Sequence, residues 1–194
     1  MAPDIPVPLQ SLLSRRSIPA LQLGEPGPTQ AEIERAVDAA LSAPDHGALR
    51  PLRLVLVRGA ARQQLSDLFV RRMQQRDAGI PPGKIDKARR MPLAAPLVIA
   101  VGARILPQHK VPELEQLLAA GAGVMNLLNA FHAQGYGAIW LTGGNAYDAQ
   151  VLQALNFAAD ERGLGFVYVG SIGSPMSAPP RRLERDGAVR DWGS

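Results

Sequence analysis

The chain predicts an α+β domain in which helices layer around a small sheet. Three observations carry this. Short apolar or β-branched runs recur at residues 53–57 (RLVLV), 97–103 (LVIAVGA), 138–141 (AIWL) and 165–171 (GFVYVGS). Helical patterns alternate with those runs. One helix, about Leu114 to Gln134, is apolar nearly all round and must be covered on most of its surface.

The elements follow in order. An apolar run at residues 7–13 reads as a short helix that ends in SRRS, residues 14–17. In TQAEIERAVDAALSA, Thr29 and Glu32 have capping-box spacing, and Pro28 precedes them. Ile33, Ala36, Val37, Ala40 and Leu41 share one face of that helix, and Pro44 stops it. Gly59 closes the first strand, and residues 60–76 read as helix. GIPPGK is a loop, and residues 84–90 make a short basic helix. The continuously apolar run 97–103 is a strand buried on both faces. The loop PQHKVP leads into the long helix, with Gly135 as its stop. TGGN is a turn, residues 147–155 a helix, and residues 165–171 the last strand. All 194 residues read as one domain, with an irregular Pro- and Arg-rich tail from about residue 175.

Composition narrows the chemistry. With no cysteine, disulfides, thiolate-held metals and a thiol nucleophile are excluded. His46, His109 and His132 stand too far apart for metal-ligand spacing. The first residues show no basic and apolar leader, and the polar residues of the long helix argue against a membrane span, so the expectation is a cytoplasmic protein. The net charge of +4 raises nucleic-acid binding. The basic clusters lack interleaved aromatics, and aromatics make up only 5% of the chain, so no nucleic-acid partner is expected. The small-residue run Ala119–Gly123 lets another surface approach the long helix. A second copy covering it is the favoured expectation, against a central helix in a monomer.

No nucleophile elbow and no phosphate-binding Walker loop is present. GAGVMN lies inside the long helix and lacks the context of a dinucleotide fingerprint. What remains is an anion site. Arginine's planar fork suits phosphate, and SRRS places two arginines between hydroxyls. APDHGALRP offers Asp45 and His46 in a turn, and IWLTGG ends a strand in hydroxyl and glycine residues.

Taken in order, Arg-Arg-Ser, Ala-Pro-Asp-His, Ala-Gln-Gly-aromatic-Gly-x-Ile-Trp and Gly-Phe-x-Tyr-x-Gly resemble the nitroreductase superfamily over about residues 12–174. KIDKAR, APLVI and HKVPELEQ resemble its minimal single-domain NAD(P)H nitroreductases of the YdjA type. The resemblance implies an FMN-dependent fold with a small, mainly antiparallel sheet flanked by helices and a long central helix. It implies non-covalent FMN at the interface of a homodimer. It also implies NADH or NADPH as electron donor and a nitroaromatic, quinone or similar small-molecule acceptor, reduced by a ping-pong route.

Carried over by residue, the resemblance makes Arg15, Arg16, Ser17, Ser42 and His46 FMN contacts. Trp140, Leu141 and Thr142 match the strand end that touches FMN from the other subunit, and Ala130, Phe131, His132, Ala133, Gln134 and Gly135 the stretch that meets the nicotinamide. Leu141 departs from the pattern, because a basic residue follows the Trp in similar proteins. No residue of the chain need act as acid, base or nucleophile, since the cofactor carries the hydride. Three plainer readings stand beside these: Arg15–Arg16 as surface charge at a helix end, Trp140 as packing, and His132 as a satisfied core histidine. The functional alternatives are a flavin- or nucleotide-binding regulatory module without turnover, and a flavin- or halide-processing member of the superfamily.

Overall fold

The computed structural model describes residues 6–173 and 187–193. It is α+β, with a five-stranded sheet that is antiparallel at every pairing described. The elements are α1 (Val7–Ser14), β1 (Leu23–Gly24), α2 (Gln30–Leu41), β2 (Leu52–Arg58), α3 (Ala61–Arg76), α4 (Pro82–Arg90), β3 (Leu97–Arg104), α5 (Glu113–Ala133), β4 (Gly137–Leu141), α6 (Ala149–Ala154) and β5 (Glu161–Ile172). β5 is the hub. It pairs with β3, β4 and β1, and β2 pairs with β3.

β3 shows why its sequence is continuously apolar. Alternate side chains point to opposite faces of a strand. Val98 and Ala100, with Phe166 and Tyr168 of β5, pack against Leu65, Leu68 and Phe69 of α3. Leu97, Ile99 and Val101, with Val167 and Val169, pack against Ile33 and Ala36 of α2 and Val124, Leu127 and Phe131 of α5. A strand covered on both faces has no side for polar residues.

Local chemistry sets the helix ends. Thr29 and Glu32 form the full capping box at the start of α2. At the end of α5, Gly135 takes φ 88°. Its N–H donates to the His132 carbonyl, and that of Tyr136 donates to the Phe131 carbonyl. These two bonds define a Schellman stop, which needs a residue at ease with positive φ. The same geometry sets Phe131 and Tyr136 edge to face with centroids 6.5 Å apart. Gly123 lets α5 approach α2 and β2 closely, since a Cβ there would lie 2.9 Å from Leu52 Cδ2 and 3.0 Å from the Ala40 carbonyl oxygen.

Several features differ from the sequence expectation, α4 among them, which starts at Pro82 inside the expected GIPPGK loop. The helix near residues 147–155 starts at Ala149, because the Asp148 carboxylate accepts from the N–H groups of Gln150 and Val151. A 3₁₀ turn, Gly144–Tyr147, precedes it. β5 begins at Glu161, four residues before the apolar run, and pairs with the end of β3 beyond an irregularity at Val101/Gly102. α5 is covered on one side only within this chain. Gln116, Ala120, Val124 and Leu127 are buried, whereas Leu114 and Leu118 are 66% and 63% exposed. α1 buries no residue, and Val7, Leu9, Leu12 and Leu13 are all exposed.

Candidate functional site

Three regions hold the residues singled out by sequence. At the edge of β4, the chain leaves α1 at Arg15 and runs alongside the strand, with Ile18 N–H donating to the Ala138 carbonyl at 3.0 Å. A cleft of about 390 Å³ opens here, lined by Arg16, Ser14, Ile18, His132, Tyr136 and neighbours. The Schellman stop delivers His132 and Tyr136 to it. Ser14 Oγ and His132 Nε2 lie 3.0 Å apart. Burial, and then the Arg15 guanidinium, push His132 below the ordinary histidine value. Arg15 Nε is buried and has no hydrogen-bond partner among the described residues. The SRRS stretch and the AFHAQG stretch thus meet, although more than a hundred residues separate them. Within the latter, Ala133 and Gly135 are exposed and Ala130 half-buried. Phe131 is wholly buried in the core. Gln134 ties α5 to α2, accepting from Arg35 Nε at 3.0 Å and donating to the Glu32 carbonyl at 3.1 Å.

The second region is a cavity of about 540 Å³ between α3, α4 and the β4–β5 pair. Leu141 and Thr142 line it at the end of β4, followed by Gly143, Gly144 and Asn145. Trp140 sits just before them, 37% exposed, its indole N–H donating to the Leu164 carbonyl at 3.0 Å. The walls are apolar, with Phe69, Met73, Met91 and Phe166. Ile80 reaches the cavity from the GIPPGK loop. The residues of PQHKVP do not line it; Gln116 pins that loop instead, bonding Leu106 N–H and the carbonyls of Leu106 and Val111.

A buried charge cluster anchors the cavity's rim. The Asp148 side chain is only 3% exposed. It accepts from Arg72 Nε at 3.1 Å, from Arg72 Nη2 at 3.1 Å, and from Arg76 Nη1. Arg76 Nη2 also donates to Asn145 Oδ1 at 2.6 Å. Burial alone would raise the Asp148 carboxyl, but the hydrogen bonds from Arg72, Arg76 and the α6 amides outweigh it and hold the group at about 2. Sequence reasoning passed over this cluster. Its signals were an Asp just before a helix and two arginines four apart on α3.

The third region is the turn after α2. Ser42 is the C-cap, and its Oγ donates to the Ala39 carbonyl at 2.8 Å. His46 is exposed, with Nδ1 2.6 Å from Glu115 Oε2 near the start of α5. Gly47, Ala48 and Arg50 all have positive φ, and Asp45 holds the turn by accepting from Arg50 N–H at 2.6 Å. Non-glycine residues in that conformation are strained, and such strain concentrates at ligand-binding turns. Glu115 and His132 are 17 residues apart on α5, about 25 Å along a helix axis. His46 and the Arg15 cleft therefore lie at opposite ends of one helix within a single chain.

Fold and site together define an α+β domain with a cleft lined by Arg16 and His132 and an apolar cavity flanking one sheet-edge strand. The nitroreductase family model matches residues 12–172, and the chain belongs to that family. It is 36% identical over 163 residues to the Escherichia coli (strain K12) protein named "Putative NAD(P)H nitroreductase YdjA", covering 84% of this chain and 87% of the relative. Its fold matches that of a nitroreductase-like protein from Bacillus cereus with a TM-score of 0.79 at 18% identity, covering 100% of both chains. It also matches a Desulfovibrio desulfuricans protein of this fold solved in complex with FMN, with a TM-score of 0.73 at 21% identity, covering 97% of this chain and 99% of the other. Among the described residues no helix is long and apolar enough to cross a membrane, and no acid, His or Cys cluster could hold a metal ion.

Proposed function

We propose that two copies of this chain hold FMN between them and transfer two electrons from NADH or NADPH to a small aromatic acceptor. One observation carries the FMN assignment: a buried guanidinium nitrogen of Arg15 with no partner among the described residues, next in the chain to Arg16 and Ser14, which line the cleft. A buried unpaired donor costs about 1–3 kcal/mol, which an anionic ligand removes. The residues fit the group. Arg15, Arg16 and Ser17 would hold the phosphate, and Trp140, Leu141 and Thr142 would lie against the ring. Arg181 and Arg182, further candidates for the phosphate, lie outside the described residues.

The second copy follows from distance and exposure. Ser42 and His46 cannot reach the Arg15 cleft of their own chain, and a symmetric partner would bring them there. The exposed Leu114 and Leu118 of α5 and the unburied α1 supply apolar surface for that contact.

Bound FMN would accept hydride from the nicotinamide and hand two electrons to the acceptor. The chain itself binds, orients and excludes water. The overall change is quinone + NAD(P)H + H⁺ → hydroquinone + NAD(P)⁺. For a nitroarene it is ArNO₂ + NAD(P)H + H⁺ → ArNO + H₂O + NAD(P)⁺. Donor and acceptor use the site in turn, so double-reciprocal rate plots should run parallel; intersecting lines would exclude that order.

The deciding experiment is the visible spectrum of the purified protein before and after heat release. Flavin bands, with about one FMN released per chain and a dimer by sedimentation, support the proposal. A colourless protein that takes up no added FMN would overturn it.

A further inference from the structure

The larger cavity holds two features that flavin binding at the β4 edge leaves unused. The first is Tyr168 on β5. The residue is 3% exposed and lines the cavity, yet its hydroxyl makes no hydrogen bond among the described residues. The residue is buried, but its hydroxyl opens on the cavity, where a ligand can reach it. Burial pushes its ionisation well above the ordinary tyrosine value, so it stands there as a neutral O–H donor. The second is the pair Lys84 and Lys87, three residues apart and so on one face of α4. Both line the cavity, and neither side chain makes a hydrogen bond or ion pair among the described residues. The other cation of the lining, Arg76, is spent on Asp148 and Asn145. Among the described residues the one carboxylate of the lining, Asp77, accepts from Gly79 N–H. The balance at the mouth is therefore positive.

We propose that this cavity takes an aromatic electron acceptor carrying an anionic substituent, with the ring between Phe69, Met73 and Phe166, an acceptor oxygen hydrogen-bonded by Tyr168, and the negative charge at Lys84 and Lys87. The apolar walls take the ring, and about 540 Å³ is ample for one. A charge-assisted contact discriminates by about tenfold against a neutral isostere. This specificity rests on the proposed FMN oxidoreductase activity. The reduction is the balanced nitroarene or quinone change given above, with NAD(P)H as the reductant.

The test compares 4-nitrobenzoate with neutral 4-nitrobenzamide on the FMN-loaded protein. A kcat/KM ratio of about tenfold in favour of the carboxylate is expected, falling to near parity in the K84A/K87A variant with 4-nitrobenzamide unaffected. Y168F should lower kcat/KM for both by about threefold to tenfold. It should leave the thermal midpoint unchanged, because the hydroxyl has no protein partner to lose. Calorimetric binding of 4-aminobenzoate, which accepts no electrons, should weaken with added salt and in K84A/K87A. No anion preference, or a preference that survives K84A/K87A, overturns the proposal. Bleaching of the flavin by NAD(P)H is followed separately in every variant. If it persists while the preference is absent, the cavity inference fails and the flavin reading stands. If no FMN binds, the flavin reading fails, and calorimetry still decides whether the cavity holds the anion.

Discussion

Two arginine clusters flank β4 and are built to opposite ends. At the α3–α6 contact, Arg72 and Arg76 converge on the buried Asp148, whose carboxylate also caps α6. Every strong bond there is made inside the chain. Past the end of α1, Arg15 is left open: its buried Nε faces no acceptor among the described residues. A charge satisfied within the fold holds structure together, whereas one left open in a cleft awaits a ligand. The closed cluster also fixes the turn that follows Thr142, because Arg76 Nη2 donates to Asn145 Oδ1.

The largest effect should come from breaking the closed cluster. Asp148→Ala leaves two guanidiniums facing each other and uncaps α6, so a loss of about 3–5 kcal/mol in urea unfolding is expected. The acid limb carries the same information. The Asp148 carboxyl ionises at about 2 in the folded protein against an ordinary 3.8. Its stabilisation is thus full above pH 4 and lost as pH falls through 2, a span of about 2 kcal/mol. Asp148→Asn should flatten that part of the pH–stability curve. An unchanged curve would show that the cluster does not stabilise the fold.

The open cluster should respond with the other sign. Arg15→Met removes a buried donor that has no partner, so FMN-free stability should stay level or rise. FMN affinity, by contrast, should fall by about tenfold to a hundredfold, the worth of one or two charge-assisted bonds. Fluorescence titration of FMN into the variant measures it. Equal losses of stability in Arg15→Met and Arg72→Met would erase the distinction between the clusters.

This contrast also marks what could be read without coordinates. The α2 start and α5 stop were legible because Thr29, Glu32 and Gly135 act within one turn of chain. β3 was legible because burial on both faces leaves an unbroken apolar run. β1 was not, being two residues held only by the end of β5. Nor was the first part of β5, where ERGL lacks strand character and is recruited by pairing with β3. As candidates, SRRS, the Trp140–Thr142 end and the turn at His46 were singled out by residue type and order. The Asp148 cluster joins residues 72 apart or more, and the openness of Tyr168 depends on what does not face it. Neither is written in local pattern.

The smallest effect tests the link between Arg15 and its neighbour. His132 titrates below the ordinary 6.5 because it is partly buried and Arg15 is near. The unfolded chain therefore takes up a proton first as pH falls below 6.5, and FMN-free stability should decline over that range. His132→Gln should abolish the slope. Arg15→Met should reduce it, because removing the guanidinium lets the imidazole titrate closer to its ordinary value. The burial contribution should remain, so the NMR-detected titration of His132 in Arg15→Met should fall between wild type and 6.5. A titration unmoved by Arg15→Met would mean that desolvation alone sets the histidine, and that the cleft's positive field is too weak to serve as the phosphate's counter-charge.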